Sequence, residues 1–422
     1  MLRKVFLISV YYIVFFTAAM LADEIPAETA NEAMDIERPK DPFPPDGIEV
    51  IIGVTNIYQQ NTRGGLSTHR RAGRYSGSYD LEVNTDLEKL FDITGGQIYI
   101  HAEGYWSKAQ GINAPSVGSA FGVNDNAERR QTIALTEMWY EQEYGEKFAF
   151  RAGKMDLTGS FICRGCRLAF DGNAYANSEY TQFLNAALVN NPTVPFPDYG
   201  LAVVLNFDPT DWFYVAGGAA DAKADFRETG FNTTFDGDDE FFYVAEAGIT
   251  PRFSTDCCPL TGAYRAGLWI DSKDKQKFSN GKNQRNDVGF YAGCDQLIFK
   301  ENEDPEDTQG LGIFARYGLA DSDLNNIANF WSLGLQYQGL FDTRSDDVLA
   351  FGMAQGIFSD RLGANDGNGF TDDRETAYEM YYSLLINENL TLSPSVQYIS
   401  NPGGDRTVSD AVIVGARAQF MF

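Results

Sequence analysis

Histidine is almost missing from this chain: His69 and His101 are the two among 422 residues. That scarcity leaves poor options for a histidine-activated nucleophile or a His-rich metal site. Cations are also short, with 33 Lys and Arg against 59 Asp and Glu, a net charge of −26. Nucleic-acid binding needs a basic footprint, which this balance removes. The acidity alone names no partner, since long solvated loops account for it. Beyond residue 22 there is no apolar run of about 18 residues, the length that a membrane-spanning helix requires. Gly64-Gly65 and Gly95-Gly96 lack a following Lys-Ser/Thr, so no phosphate-binding loop is present. Cysteines number five. Cys163-Arg-Gly-Cys166 has the spacing of a redox pair or half a zinc site, but no second such pair and no nearby histidine completes it. In an exported chain Cys163 and Cys166 predict a small loop disulfide. The pairing of Cys257, Cys258 and Cys294 stays open, and an odd thiol remains.

What is abundant is aromatic residues, 14% of the chain, and glycine, 41 residues. Mean hydropathy is nevertheless only −0.29. Strands that alternate apolar and polar positions between glycine-bearing turns give this combination. The stretch Ala411 to Phe422 shows the design. Val412, Val414, Ala416, Ala418, Phe420 and Phe422 share one face, and Gly415, Arg417 and Gln419 share the other. One face suits lipid, the other a wet lumen, and the terminal aromatic suits the bilayer boundary.

Residues 1–22 read as a secretory signal peptide: Arg3 and Lys4, an apolar core from Val5 to Phe16, then small residues, with cleavage after Ala19 or Ala22. An uncleaved anchor is the alternative. Residues 23–47 form an acidic, Pro-rich leader with little to bury, expected on the periplasmic side. From residue 48 to 422 the chain divides into about sixteen strand-like segments whose connections alternate between short and long. This predicts an all-β, transmembrane antiparallel β-barrel with short periplasmic turns and long outer loops. Tyr79 to Leu90 alternates cleanly, with Leu87 on its apolar side. Pro394 interrupts a strand and predicts a bulge.

Turning the polar face inward gives a lumen with Asp80, Glu82, His101, Glu103, Glu137, Arg151, Glu246, Arg265, Arg316, Gln336, Glu379, Arg417 and Gln419. An Arg facing lipid near the midplane costs about 2–4 kcal/mol, so Arg316 and Arg417 are expected to face water. The longest gap, Met155 to Asp198, is where function is expected, as an inward constriction loop. It carries Asp156, Arg164, Arg167, Asp171, Asn173, Asn177, Glu179 and Gln182, with Phe161, Phe170, Tyr175, Tyr180 and Phe183 between them. Amides, carboxylates and guanidinium groups bond paired hydroxyls, and aromatic faces stack on a pyranose. The mixture suits a neutral polyhydroxylated solute better than a phosphate.

The runs Arg151-Ala-Gly-Lys154-Met-Asp156-Leu157, Asn173-Ala-Tyr-Ala-Asn177, Gln182-Phe-Leu-Asn185 and Asn190-Asn-Pro192 resemble the carbohydrate-selective porin (OprB-like) family. So do Trp331 to Leu340, Asp346-Asp-Val-Leu349, Glu375-Thr-Ala-Tyr-Glu379, Pro394 to Ile399, Asn401-Pro-Gly-Gly404 and Val414-Gly-Ala-Arg417. The resemblance spans roughly residues 75 to 422 and is strongest over the last hundred. It implies a sixteen-stranded pore in a Gram-negative outer membrane, in contact with lipid and lipopolysaccharide, for passive diffusion of mono- or oligosaccharides. It implies an inward loop with arginines near the constriction and permits a monomer or a homotrimer; no cofactor and no metal are expected. The expected solute contacts are Arg151, Lys154, Asp156, Asp171, Asn173, Asn177, Glu179, Gln182, Glu246, Arg265, Arg316 and Arg417.

Two other functions are open to the sequence. A general or cation-preferring porin would use the lumen carboxylates without a sugar site. An outer-membrane hydrolase would need a nucleophile and base that two histidines supply poorly, and abundant carboxylates make any glycosidase pair uninformative. Asp236 to Glu240 and Asn365 to Asn368 are oxygen-rich, but Phe370 breaks the spacing of an EF-hand, and acidic loop tips are the simpler reading.

Overall fold

The computed structural model describes residues 46–106, 111–127, 133–158, 170–176, 183–237, 240–253, 259–302, 308–362, 370–371 and 373–422. The expected signal peptide and nearly all of the leader lie outside them, as do Cys163, Cys166, Cys257, Cys258, Asn177, Glu179 and Gln182.

Sixteen strands form the wall: β1 (Ile48–Gly65), β2 (Gly73–Asp86), β3 (Gly96–Tyr105), β4 (Ile133–Tyr144), β5 (Phe148–Met155), β6 (Gly200–Thr210), β7 (Phe213–Asp221) and β8 (Phe241–Ile249), then β9 (Leu260–Asp271), β10 (Asp287–Lys300), β11 (Gly310–Ala320), β12 (Ile327–Gln338), β13 (Val348–Phe358), β14 (Arg374–Asn387), β15 (Leu390–Ser400) and β16 (Ser409–Met421). Each pairs antiparallel with its neighbours, and β1 pairs with β16, which closes the sheet. Ile52 and Phe422 exchange backbone hydrogen bonds of 3.0 and 2.9 Å at that seam. Closure matters because lipid offers no partner to an unpaired backbone group. A barrel of this strand number is wide enough to leave an aqueous interior.

Alternation decides which face is which. Leu81, Val203, Leu205, Val414 and Phe420 are exposed on the outside, while Glu82, Val204, Asn206, Arg417 and Gln419 are buried inside. Aromatics gather by the short turns, with Tyr144, Trp212, Phe299, Phe341 and Phe422 exposed, as an interfacial girdle should be. The long connections, at 106–132, 156–199, 222–240, 272–286 and 359–373, all leave the opposite rim.

Three local expectations change. The second strand runs Gly73–Asp86 and stops where Asp86 caps the short helix Leu87–Phe91, accepting from the N–H groups of Glu88 and Lys89; Leu87 is therefore helical. Pro394 makes no bulge. The register of β15 is unbroken across it against both neighbours, and its ring points outward. A bulge occurs instead in β4: His101 pairs with Glu137 but Ala102 pairs with Leu135, so Thr136 is the extra residue. Thr136 is buried inside, and the shift turns Glu137 inward as well, while Leu135 and Met138 stay exposed outside.

Candidate functional site

Two loop segments turn back into the barrel and pack on its inner wall. The first is 111–127, between β3 and β4. Its Ile112, Val117 and Val123 form an apolar cluster with Ala377, Ile399, Ala411 and Ile413 of β14, β15 and β16. Polar wall residues hold its backbone. Gln59 and Gln397 both donate to the Val123 carbonyl, at 2.7 and 2.9 Å, and Asn61 donates to the Ser116 carbonyl at 3.1 Å. Glu375 accepts from the Ser119 hydroxyl and, at 2.8 Å, from the Ala120 N–H.

The second segment comes from the β5–β6 connection and is described at 156–158, 170–176 and 183–199. Phe183, Ala187, Leu188, Val189 and Tyr175 pack on Phe314, Phe330, Val348, Ala350, Ala354 and Tyr381. The segment includes one short helix, Ala186–Val189, capped by the Asn185 side chain. Glu379 accepts from the N–H groups of Leu184 and Asn185, at 2.9 and 2.7 Å. The two segments also brace each other: Asp125 N–H donates to the Leu184 carbonyl at 2.8 Å, and Asn190 donates to the Asp125 carboxylate at 3.0 Å.

A buried network of opposite charges fixes the near half of this loop. Arg316 of β11 is 3% exposed. It donates to the carbonyls of Leu188 at 2.9 Å, Val189 at 2.8 Å and Asp171 at 3.3 Å. Its Nε lies 3.8 Å from the Asp171 carboxylate. Glu246 of β8 accepts from the Asp171 N–H at 3.0 Å and from the Tyr214 and Tyr291 hydroxyls at 2.6 and 2.7 Å. Both tyrosine rings lie flat on the wall over Gly248 and Gly267, where a Cβ would overlap them. Arg265 pairs with Asp295 at 3.1 Å, and Asn173 donates to the Cys294 carbonyl at 3.2 Å. Asp171 has φ +54° and its carboxyl is pushed up to about 7, by burial first, with Arg316 pulling the other way.

The wall of β2–β5 is covered in part: Trp139 and Ala149 share an apolar cluster with Leu157, Phe170 and Val194 of the inward loop, and Tyr99 packs against it. Asp80, Tyr99, His101, Glu137 and Arg151 point inward and remain partly exposed. Arg151 bonds Glu141 at 2.8 Å, and its guanidinium lies 3.7 Å from the centroid of the Trp139 ring, which stacks on Tyr99 with centroids 5.0 Å apart. Asp156 sits just past β5, where its N–H donates to Glu137 at 3.2 Å.

The family model for "Carbohydrate-selective porin, OprB family" matches residues 70–422. The chain belongs to that family. Porin B of Pseudomonas aeruginosa is 28% identical over 401 residues, covering 86% of this chain and 85% of that protein. A putative porin, QuiX, of Acinetobacter baylyi is 21% identical, covering 82% and 83%. The high-pH structure of Pseudomonas putida OprB superposes with a TM-score of 0.75 at 23% identity, over 89% of this chain and 94% of that one, which establishes the shared barrel. The protein is thus an outer-membrane porin, seated in lipid and lipopolysaccharide and open to small solutes, of a family whose members are pores rather than catalysts.

Within this OprB-family porin the residues singled out in the sequence separate into groups. Asp171, Asn173, Glu246, Arg265 and Arg316 come together, but as the anchorage of the inward loop. Arg316 and Arg417 face inward as their parity requires, yet both are buried, so neither meets open water. Arg417 lies on β16, within electrostatic reach of Tyr381 and Glu379. Lys154 does not join them. The register sets it opposite Met138 and Leu201, whose side chains face out. Its ammonium is consumed at the outer rim by the carbonyls of Leu135, Phe226 and Glu228, at 2.8, 2.6 and 2.5 Å. Arg151 and Asp156 stay on the less covered wall. The segment 111–127 was not singled out from the sequence. Its signal is Ile112, Val117 and Val123, apolar residues in what reads as an outer loop.

Proposed function

We propose that the chain conducts mono- or oligosaccharides by passive, selective diffusion through a water-filled lumen, with the solute sliding along the β2–β5 wall. The observation that carries this is the asymmetry of the interior. The β8–β16 side is packed with anchored loop segments, whereas the opposite side keeps Tyr99, Arg151, Asp80 and Glu137 partly exposed. A partly exposed aromatic ring beside guanidinium and carboxylate groups serves the C–H face and the paired hydroxyls of a sugar. Asp156 belongs to this path, and Asp171, Asn173, Glu246, Arg265, Arg316 and Arg417 act on it by holding the constriction in place. The pathway lies inside one barrel, so each chain conducts by itself in a monomer or a homotrimer. In the same reading residues 1–22 are removed on export and residues 23–47 stay on the periplasmic side.

Liposome swelling with a graded series of sugars, together with sugar titration of single-channel current, tests the proposal. Saturable block by glucose or maltose and a sharp size limit are expected. Current that ignores millimolar sugar, with swelling set by solute size alone, would make the protein a general or cation-preferring porin.

A further inference from the structure

The less covered wall is also the one with unneutralised acid. β2, β3 and β4 turn Asp80, Glu82, Glu103 and Glu137 inward. The register sets Asp80 directly opposite Glu103, Glu82 opposite His101, and His101 opposite Glu137. Like charges directly opposite on adjacent strands repel. Among the described residues His101 offsets them most directly, 3.3 Å from Asp80 and 4.0 Å from Glu137, with Arg151 adding a smaller attraction to Glu137. The remaining donors are neutral: Tyr99 gives its hydroxyl to Glu82 at 2.8 Å, and Trp139 gives its indole N–H to Glu137 at 3.1 Å. Arg151 is committed to Glu141. Among the described residues, no Lys or Arg pairs with Glu82, Glu103, Glu137 or Asp156.

An independent observation shows what is missing. Glu103 is only 8% exposed, and although Tyr105 is its hydrogen-bond partner, its Oε2 accepts no hydrogen bond from any described residue. A buried carboxylate oxygen left without a donor is costly, and most of that cost returns when a cationic donor arrives. The described residues contain no set of three His, Cys, Asp or Glu groups placed to hold a metal ion. The complementary ligand therefore brings its own N–H donors. A primary ammonium has three, enough to serve the open Glu103 oxygen and Asp80 together. Tyr99, stacked on Trp139, is partly exposed on the same wall.

We propose that the inner wall of β2–β4 is a subsite for sugar-sized solutes bearing a primary ammonium group, the chemistry of an amino sugar. Glu103 and Asp80, directly opposite each other on β3 and β2, take the ammonium, Glu137 on the far side of His101 adds negative charge, and Tyr99 lies on the same wall. This deepens the carbohydrate-diffusion reading and rests on it.

The test uses the full porin in planar bilayers at about pH 7.5, where more than half of an amine of this kind is still protonated. The half-blocking concentrations of glucosamine, N-acetylglucosamine and glucose are compared. Glucosamine is expected to block at a concentration about tenfold lower than its neutral acetylated form, the difference one charge-assisted contact supplies. The double variant E103Q/E137Q should bring the two within about twofold, since amides keep the shape but lose the charge. Equal block by the two sugars in the unaltered porin overturns the subsite, and so does a preference that survives the double variant. The unaltered comparison stands even where the variant does not fold. If no sugar blocks, the carbohydrate reading fails, and ethylammonium replaces the sugars as probe. Its permeability relative to potassium must then fall in E103Q/E137Q, or the subsite fails too.

Discussion

Arg316 offers the sharpest perturbation of the constriction. It crosses from β11 to two of the three described pieces of the inward loop, donating to Leu188, Val189 and Asp171 carbonyls. A hydrogen bond from a charged donor is worth about 1.5–3 kcal/mol, and three such bonds sum to no more than roughly 9. Desolvation of the guanidinium removes part of that, and losing one partner of a buried charged network costs about 3–5 kcal/mol. In Arg316→Ala that loss falls on the loop, because the β11 ladder is made by backbone groups. Glu379 still holds Leu184 and Asn185, so the loop is loosened and not lost. A shift of at least 3 kcal/mol raises the population of released loop by about a hundredfold. Single-channel recordings should therefore show frequent excursions to a larger conductance, with heat-modifiable gel migration unchanged. Arg316→Lys should fall between, since one ammonium cannot reach all three carbonyls in the same fork geometry. An R316A channel with wild-type conductance and open-channel noise would refute the assignment of Arg316 to the loop.

Other consequences follow from the same contacts. Burial raises the Asp171 carboxyl to about 7, with Glu246 adding to the rise and Arg316 and Arg265 opposing it. The folded chain then holds a proton that the unfolded chain has lost above about pH 4, so this contribution to stability is full below that pH and gone above about 7. Thermal stability should fall across that window in the wild type, and Asp171→Asn should flatten the profile. Inside the wall, Gly312 lies beneath the Tyr175 ring, where a Cβ would overlap it. Gly312→Val should displace that part of the loop at a cost of about 1–3 kcal/mol, read as altered conductance in a barrel that still resists proteolysis. On the lipid face, Val414 is exposed at mid-strand, and Val414→Arg should destabilise the barrel by about 2–4 kcal/mol in denaturant titrations in lipid.

The wall was legible because lipid imposes a period of two and short turns alternate with long loops. Strand number, inward parity and the lumen positions of Glu82, Glu246, Arg316 and Arg417 all follow from that rule. Lys154 shows the rule outranking a motif: Arg151 and Met155 share the inner parity, and the residue between Gly153 and Met155 must point out. The Thr136 bulge was not legible, because one extra residue leaves no mark in composition. Nor could parity say what covers an inward charge. Arg316 reads as a lumen arginine on its strand, and only the loop carbonyls that reach it from more than a hundred residues away decide that it is an anchor. Those contacts depend on tertiary packing of segments whose own sequence shows no period.

A sixteen-stranded barrel encloses more space than a sugar needs, so filling one side decides where solutes pass. The anchors and the path are then different residues, and they should fail differently. An arginine whose donors are taken by Leu188, Val189 and Asp171 cannot also bind a passing hydroxyl unless the loop lets go. Arg151 and Glu137 keep part of their surface open, and their hydrogen bonds go to Glu141, Trp139 and Asp156 and to no described residue of 170–199. Substitutions at Arg316, Glu246 or Glu379 should thus change conductance and noise while the sugar-binding constant of the quiet state stays within about twofold. Arg151→Ala or Glu137→Gln should do the reverse, weakening sugar block by about tenfold or more at nearly unchanged conductance. A sugar-block defect in R316A with no change in noise would place the solute contact at the anchor and move the pathway to the other side of the barrel.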